Sequence, residues 1–207
     1  MLSWPDSQRF KTYLLLNLIL FSLFGLIYFS TNAYATSQTQ LYHLWLPFEL
    51  QIPLIPEFIL IYCSVNFLTI LPLFALNSDQ LKRMARAIAM AFVIAGIIFY
   101  FFPAPVGFIR NLEMARFNII FKGLYFLDES TNTFPSLHIG LSFIVTRIMV
   151  YECHNLKPLW LWFFLISLSV LFTHQHHLID IFGGILLGEI CIRSFYFQKK
   201  SFIAARE

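Results

Sequence analysis

Six apolar runs, each near the length that crosses a bilayer, govern what this chain can fold into. A transmembrane helix takes roughly 20 apolar residues, with about 17 to 25 as the working range. Runs of that order lie at Tyr13 to Phe29, Pro56 to Leu76, Ala87 to Phe102, Pro135 to Tyr151, Pro158 to Thr173 and His177 to Phe197. Turn-forming stretches separate them: Asn77-Ser78-Asp79-Gln80, Pro103-Ala104-Pro105-Val106-Gly107, Glu152-Cys153-His154-Asn155 and the series Pro47, Pro53 and Pro56. Charged residues make up only 12% of the chain, about half of what a soluble domain carries. With 25 Phe among 207 residues, a small water-facing globule would have too little polar surface to cover its core. The pattern predicts an all-α, six-span bundle in lipid, one domain over residues 1–207 with no internal repeat. Arg9 and Lys11 before the first run, and Ala33-Tyr34-Ala35 after it, resemble a cleaved secretory signal. The run exceeds the ~7 to 15 residues of a signal core, so a retained span is expected.

Lys and Arg collect on the cytoplasmic side of membrane proteins, which orients the bundle. An inside N-terminus puts 11 of the 14 basic residues within, from Arg9 and Lys11 through Lys82, Arg83, Arg86, Arg147, Lys157 and Arg193 to Lys199, Lys200 and Arg206. Both termini are then cytoplasmic. Arg110, Arg116 and Lys122 are left outside, all in the loop after the third run. The segment from Thr36 to Ile55 has no Lys or Arg but holds Tyr42, His43, Trp45 and Phe48, which predicts an interfacial stretch between spans one and two. The net charge of +3 is too small and too dispersed for a nucleic-acid partner.

Polar groups at membrane depth are expensive and so point to chemistry. Phe134-Pro135-Ser136-Leu137-His138 opens the fourth run at its outer end. Pro135 suits a first helical turn, whose free amides from Ser136 onward form an anion site. Thr173-His174-Gln175-His176-His177-Leu178-Ile179-Asp180 lies at the outer junction of the last two runs. On a continuous helix His176 and Asp180 share a face, so the carboxylate can orient the imidazole. Arg110 lies just beyond the third run. Two imidazoles, a carboxylate, a guanidinium and a helix N-terminus on one membrane side suit phosphoryl transfer.

Pro135-Ser136-Leu137-His138, the later His176 to Asp180 spacing, and Gly183 and Gly184 just after it resemble the type 2 phosphatidic acid phosphatase superfamily, over roughly residues 85–190. The Thr-x-Gln-His form and the six-run layout look most like its bacterial members grouped with inositol phosphorylceramide synthases. The resemblance implies a lipid phosphatase with its site at the outer face of the cell membrane, needing no metal or other cofactor. It implies His176 as nucleophile, Asp180 as its orienting partner, His138 as acid and base, and Ser136 and Arg110 as phosphate binders. A phosphatidic acid, a polyprenyl diphosphate or a related phospholipid is the implied substrate. Two family cations are absent: Pro103 stands at the Lys of the first motif, with Asn111 following Arg110, and Ser169-Val170 at the Ser-Arg of the third. His174, Lys122 and Arg116 are the candidates to replace them.

Other readings attach to the same residues. The acceptor can be a lipid alcohol rather than water, giving a phosphotransferase, and a non-catalytic membrane protein can keep the fold. His176, a second His and Asp180 are also plausible zinc ligands, although adjacent His176 and His177 cannot face one site on a regular helix. His174 and His177 read as interfacial, and His43 and His154 as loop residues without chemistry. Arg110 alone reads as a headgroup anchor. Cys63, Cys153 and Cys191 read as small core residues, Glu189 and Arg193 as an i,i+4 pair, and Gly184 with Gly188 as a close helix contact.

Overall fold

Lipid offers no hydrogen bonds to a bare backbone, so apolar runs of this length satisfy themselves as helices. A computed structural model of the chain describes residues 2–109, 117–127 and 131–197. Among them are seven helices and no strand: α1 (Ser7–Thr36), α2 (Phe58–Ala75), α3 (Ser78–Phe101), α4 (Asn118–Leu127), α5 (Leu137–Glu152), α6 (Leu159–Phe172) and α7 (Leu178–Ile192), which ends in a π-helical turn, Arg193–Phe197. Four segments are long and apolar enough to cross a membrane: α1, α2, α3 and His154–Phe172, which includes α6. At 16 and 15 residues, α5 and α7 fall just short of the usual crossing length of about 17 to 25.

Helix ends follow polar caps rather than the edges of the apolar runs. Asp6 accepts the Arg9 amide at 2.8 Å and starts α1 well before Tyr13. At α3, Asn77 accepts the Asp79 and Gln80 amides while the Gln80 side chain accepts the Asn77 amide, a reciprocal cap. The helix therefore begins at Ser78, and Lys82, Arg83 and Arg86 lie within it rather than in a loop. Ala33-Tyr34-Ala35 lies inside α1, with Ala35 fully buried.

Helix α2 is broken twice. Ser64 Oγ donates to Ile61 O (2.6 Å) and Asn66 Nδ2 to Cys63 O (3.0 Å), side-chain bonds that compete with the helical ladder. Pro72, with no amide to donate, accounts for the second break. α5 lies at the centre, packed along α7 and against α2, α3 and α6. Gly184 and Gly188 set its closest crossing: a Cβ at Gly184 would lie 2.5 Å from Ser136 O, and one at Gly188 2.9 Å from the Phe143 ring. α1 leans chiefly on α3 and keeps most of its length exposed. Near the end of α7, Arg193 Nε donates to Glu189 Oε1 at 2.7 Å, and Arg147 approaches the other oxygen at 4.0 Å. The three cysteines are free.

Candidate active site

The α5–α7 crossing builds one end of the site. Ser136 caps α5: its Oγ accepts the Ile139 amide at 3.3 Å, and its own amide donates to Asp180 O at 3.1 Å. Both groups are thereby occupied, and Ser136 is fully buried. Pro135 precedes the cap instead of filling the first turn, so the amides that open the helix belong to Leu137 and His138.

His138 stands in that first turn. Its ring stacks on Tyr62 at 4.0 Å, and its Nε2 lies 3.0 Å from Tyr62 O, a carbonyl at the first break in α2. A carbonyl only accepts, so Nε2 carries hydrogen and Nδ1 is the nitrogen left to exchange protons.

His176 does not lie on a helix. α7 starts at Leu178, and His176 is held two residues earlier by the turn that ends α6. There the His174 amide donates to Leu171 O (3.0 Å) and the Gln175 amide to Val170 O (2.9 Å), a Schellman closure, and the His176 amide also reaches Val170 O (3.1 Å). His174 occupies the left-handed position of this closure, φ 56°, where glycine is usual and another residue costs about 1 kcal/mol. The expected pairing with Asp180 forms without a shared helical face: Asp180 Oδ2 is 3.4 Å from His176 Nδ1. The same oxygen accepts the His177 amide at 2.8 Å. A carboxylate at Nδ1 favours hydrogen there and leaves the lone pair on Nε2.

His177 and His174 are structural parts rather than interfacial side chains. Buried His177 accepts the Gly107 amide at Nε2 (2.9 Å), turns Nδ1 toward Glu49 Oε2 (3.3 Å), and is sandwiched between Trp45 and Phe108. His174 Nε2 donates to Ile52 O (2.9 Å), and its ring stacks on Phe108 at 3.9 Å. Burial holds the His174 pKa below its ordinary value, outweighing the opposite effect of the Ile52 bond.

Glu49 was not singled out by the sequence, although it is the one charged residue between Thr36 and Ile55. It is buried in a short 3-10 helix, Pro47–Gln51, and accepts the amides of Leu46 (2.9 Å) and Leu178 (2.8 Å). The interfacial segment thus folds over the start of α7. Thr131, Asn132 and Thr133 were missed too. Thr131 Oγ1 donates to Asn32 Oδ1 (2.7 Å), Asn132 Nδ2 to Thr31 Oγ1 (2.9 Å), and Thr133 Oγ1 to Ala104 O (2.9 Å). The six consecutive polar residues before Phe134, Asp128 to Thr133, in a chain this apolar, were the available signal.

A cavity of about 430 Å³ has His138, His176, Asn132 and Thr133 among its lining residues. The structure therefore gathers His138, His176 and Asp180. It leaves Lys122 exposed on α4, while Arg110 and Arg116 lie outside the described residues. Among the described residues, no group of three His, Cys, Asp or Glu side chains is placed to hold a metal ion.

Two imidazoles lining one apolar-walled cavity, one beside a carboxylate, define the class: a helical protein with segments long and apolar enough to cross a membrane and a paired-imidazole pocket. A family model described as the PAP2 superfamily matches residues 49–193, and the chain belongs to that superfamily, the type 2 phosphatidic acid phosphatases. The match begins at Glu49, well before residue 85, and so takes in α2 and the Glu49 helix. Comparison with curated proteins and with solved structures returned no match. Membership carries phosphatase-type activity on phosphate esters.

Proposed function

We propose that this chain is a six-span lipid phosphatase of the cell membrane, with cytoplasmic termini and its site at the outer leaflet. The short α5 and α7 then cross the bilayer as parts of the packed bundle, as the fourth and sixth spans. The observation that carries the reading is that His138 and His176 line the same cavity while Asp180 Oδ2 lies 3.4 Å from Nδ1 of His176.

The lone pair on His176 Nε2 attacks phosphorus, and the bond from phosphorus to the lipid oxygen breaks. His138, in its charged form, gives its Nδ1 proton to that leaving oxygen. Neutral His138 then takes a proton from water as the water attacks the phosphohistidine. The phosphorus–nitrogen bond breaks, and both imidazoles return to their starting states. Asp180 stabilises the charge that develops on His176. Arg110 and the amides at the start of α5 bind phosphate oxygens, with Lys122 and Arg116 as further candidates. Ser136 acts by capping that helix, and His174 by holding the turn that carries His176.

The test is phosphate release from a panel of lipid phosphates and diphosphates by purified protein, with His176→Ala beside it. Release by the wild type alone supports the reading, and equal release by both overturns it. Transfer to a labelled lipid alcohol in place of release would make the enzyme a phosphotransferase.

A further inference from the structure

His138 is held twice by one residue. The Tyr62 ring stacks on its face at 4.0 Å with 12° between planes, and the Tyr62 carbonyl lies 3.0 Å from its Nε2. The imidazole therefore turns only if Tyr62 moves.

Tyr62 depends in turn on the first break in α2. It lies one residue before the end of the piece Phe58–Cys63, and Ser64 at the break substitutes its own bonds for the helical ladder. Ser64 Oγ donates to Ile61 O at 2.6 Å, while Ser64 O collects the amides of both Phe67 (3.0 Å) and Leu68 (3.2 Å). A carbonyl beside such an interruption can take a side chain from another helix. For Tyr62 that side chain is His138.

The break is pinned from α6. Trp162 Nε1 donates to Ser64 Oγ at 2.8 Å, across 98 residues of sequence. An indole N–H only donates, and hydrocarbon offers it no acceptor, so its pairing with Ser64 is specific. With Trp162 on its lone pair, the hydroxyl is oriented to donate to Ile61 O. α6 also packs on α5, so the path runs from α6 through α2 to the helix that carries His138.

We infer that Trp162 and Ser64 are positioning residues for His138. The indole N–H holds the Ser64 hydroxyl, the hydroxyl holds the break, and the break presents Tyr62 so that Nε2 keeps its hydrogen and Nδ1 remains the exchanging nitrogen. That Nδ1 serves a leaving oxygen rests on the phosphatase reading; the hold on the ring rests on these bonds.

Two leaving groups read the role. An alkyl alkoxide needs the proton of His138 to depart, whereas p-nitrophenolate does not. Trp162→Phe keeps a ring and removes the N–H. It should lower kcat for an alkyl phosphate about tenfold with KM within about twofold, and leave p-nitrophenyl phosphate turnover within about twofold. Ser64→Ala should behave alike, and Ser64→Thr, which keeps the hydroxyl, should recover most of the rate. In a His138→Ala background Trp162→Phe should add nothing. Equal loss on both substrates, or full additivity with His138→Ala, overturns the positioning role, since a loosened bundle slows both reactions.

The ring is read without substrate by nitrogen chemical shifts of isotope-labelled histidine in lipid bilayers, with His138→Ala giving the assignment. Hydrogen on Nε2 of His138 is expected in the wild type, and a mixture of tautomers in Ser64→Ala and Trp162→Phe. Hydrogen on Nδ1 in the wild type, or the same tautomer in all three, overturns the inference. Expected shifts without phosphate release from either substrate support the hold on His138 and overturn the phosphatase reading instead.

Discussion

Gly107 donates its backbone N–H to Nε2 of His177 across 70 residues of sequence, at 2.9 Å. That bond fixes the end of the 103–109 loop against the start of α7, three residues before Arg110. Glu49 supports it from the opposite nitrogen. A protonated His177 has no lone pair to offer, so the bond exists only with the neutral ring.

On the proposed function, His177 acts by positioning. His177→Ala should raise KM for a lipid phosphate about tenfold while kcat stays within a few-fold, and His177→Gln, which keeps an acceptor, should recover part of the loss. Arg110→Ala should add less in the His177→Ala background than in the wild type. A double-mutant cycle on steady-state kinetics checks this, and full additivity would break the link between His177 and Arg110.

Asp180→Asn separates the orienting role from the structural one. An amide oxygen can still accept the His177 amide, so the thermal midpoint in detergent should fall by only a few degrees. Loss of the carboxylate at His176 Nδ1 should slow turnover by about 10² to 10⁴. Equal turnover by Asp180→Asn and wild type would remove Asp180 from the mechanism.

Gly184→Ala tests the helix crossing. Its Cβ would sit 2.5 Å from Ser136 O and 3.0 Å from Ile139 Cβ, so α5 and α7 must separate. Overpacking of this kind costs about 1–3 kcal/mol, and the Ser136–Asp180 bond should lengthen with it. A clear drop in thermal midpoint is expected, together with lost activity at temperatures where the variant is still folded.

Stability should fall on acidification through His174. Its folded pKa is depressed by burial below the ordinary value of 6.5, so below that value the unfolded chain binds the proton first and is favoured. The loss begins as pH drops through about 6.5 and continues down to the folded pKa. Thermal midpoints of wild type and His174→Gln, measured between pH 7.5 and 5 (on the order of that window), should diverge at the acid end, with the wild type more sensitive.

Much of this was legible because it is local. Apolar runs, capping residues such as Asp6 and Asn77, and the spacing of Ser136, His138, His176 and Asp180 depend on near neighbours along the chain. The reading of His176 on a helix failed at a boundary: a Schellman turn closed by Val170 and Leu171 replaced the expected helical turn, yet Asp180 still reached the ring. Glu49, a lone carboxylate in an uncharged stretch, carried a signal without a partner to give it meaning. Its partner, His177, is 128 residues away.

The sequence by itself determined the helical class, the family and the short list of imidazoles and carboxylates, since hydrophobic length and motif spacing are properties of the chain alone. Only the tertiary structure decided which nitrogens of His138, His174 and His177 are engaged, that Ser136 caps α5, and that α1 and α3 line the cavity shared by His138 and His176. Those outcomes depend on groups brought together from distant segments, His177 with Gly107 and Glu49, His138 with Tyr62, Asn32 with Thr131. Packing selects such pairs, and no local pattern encodes them.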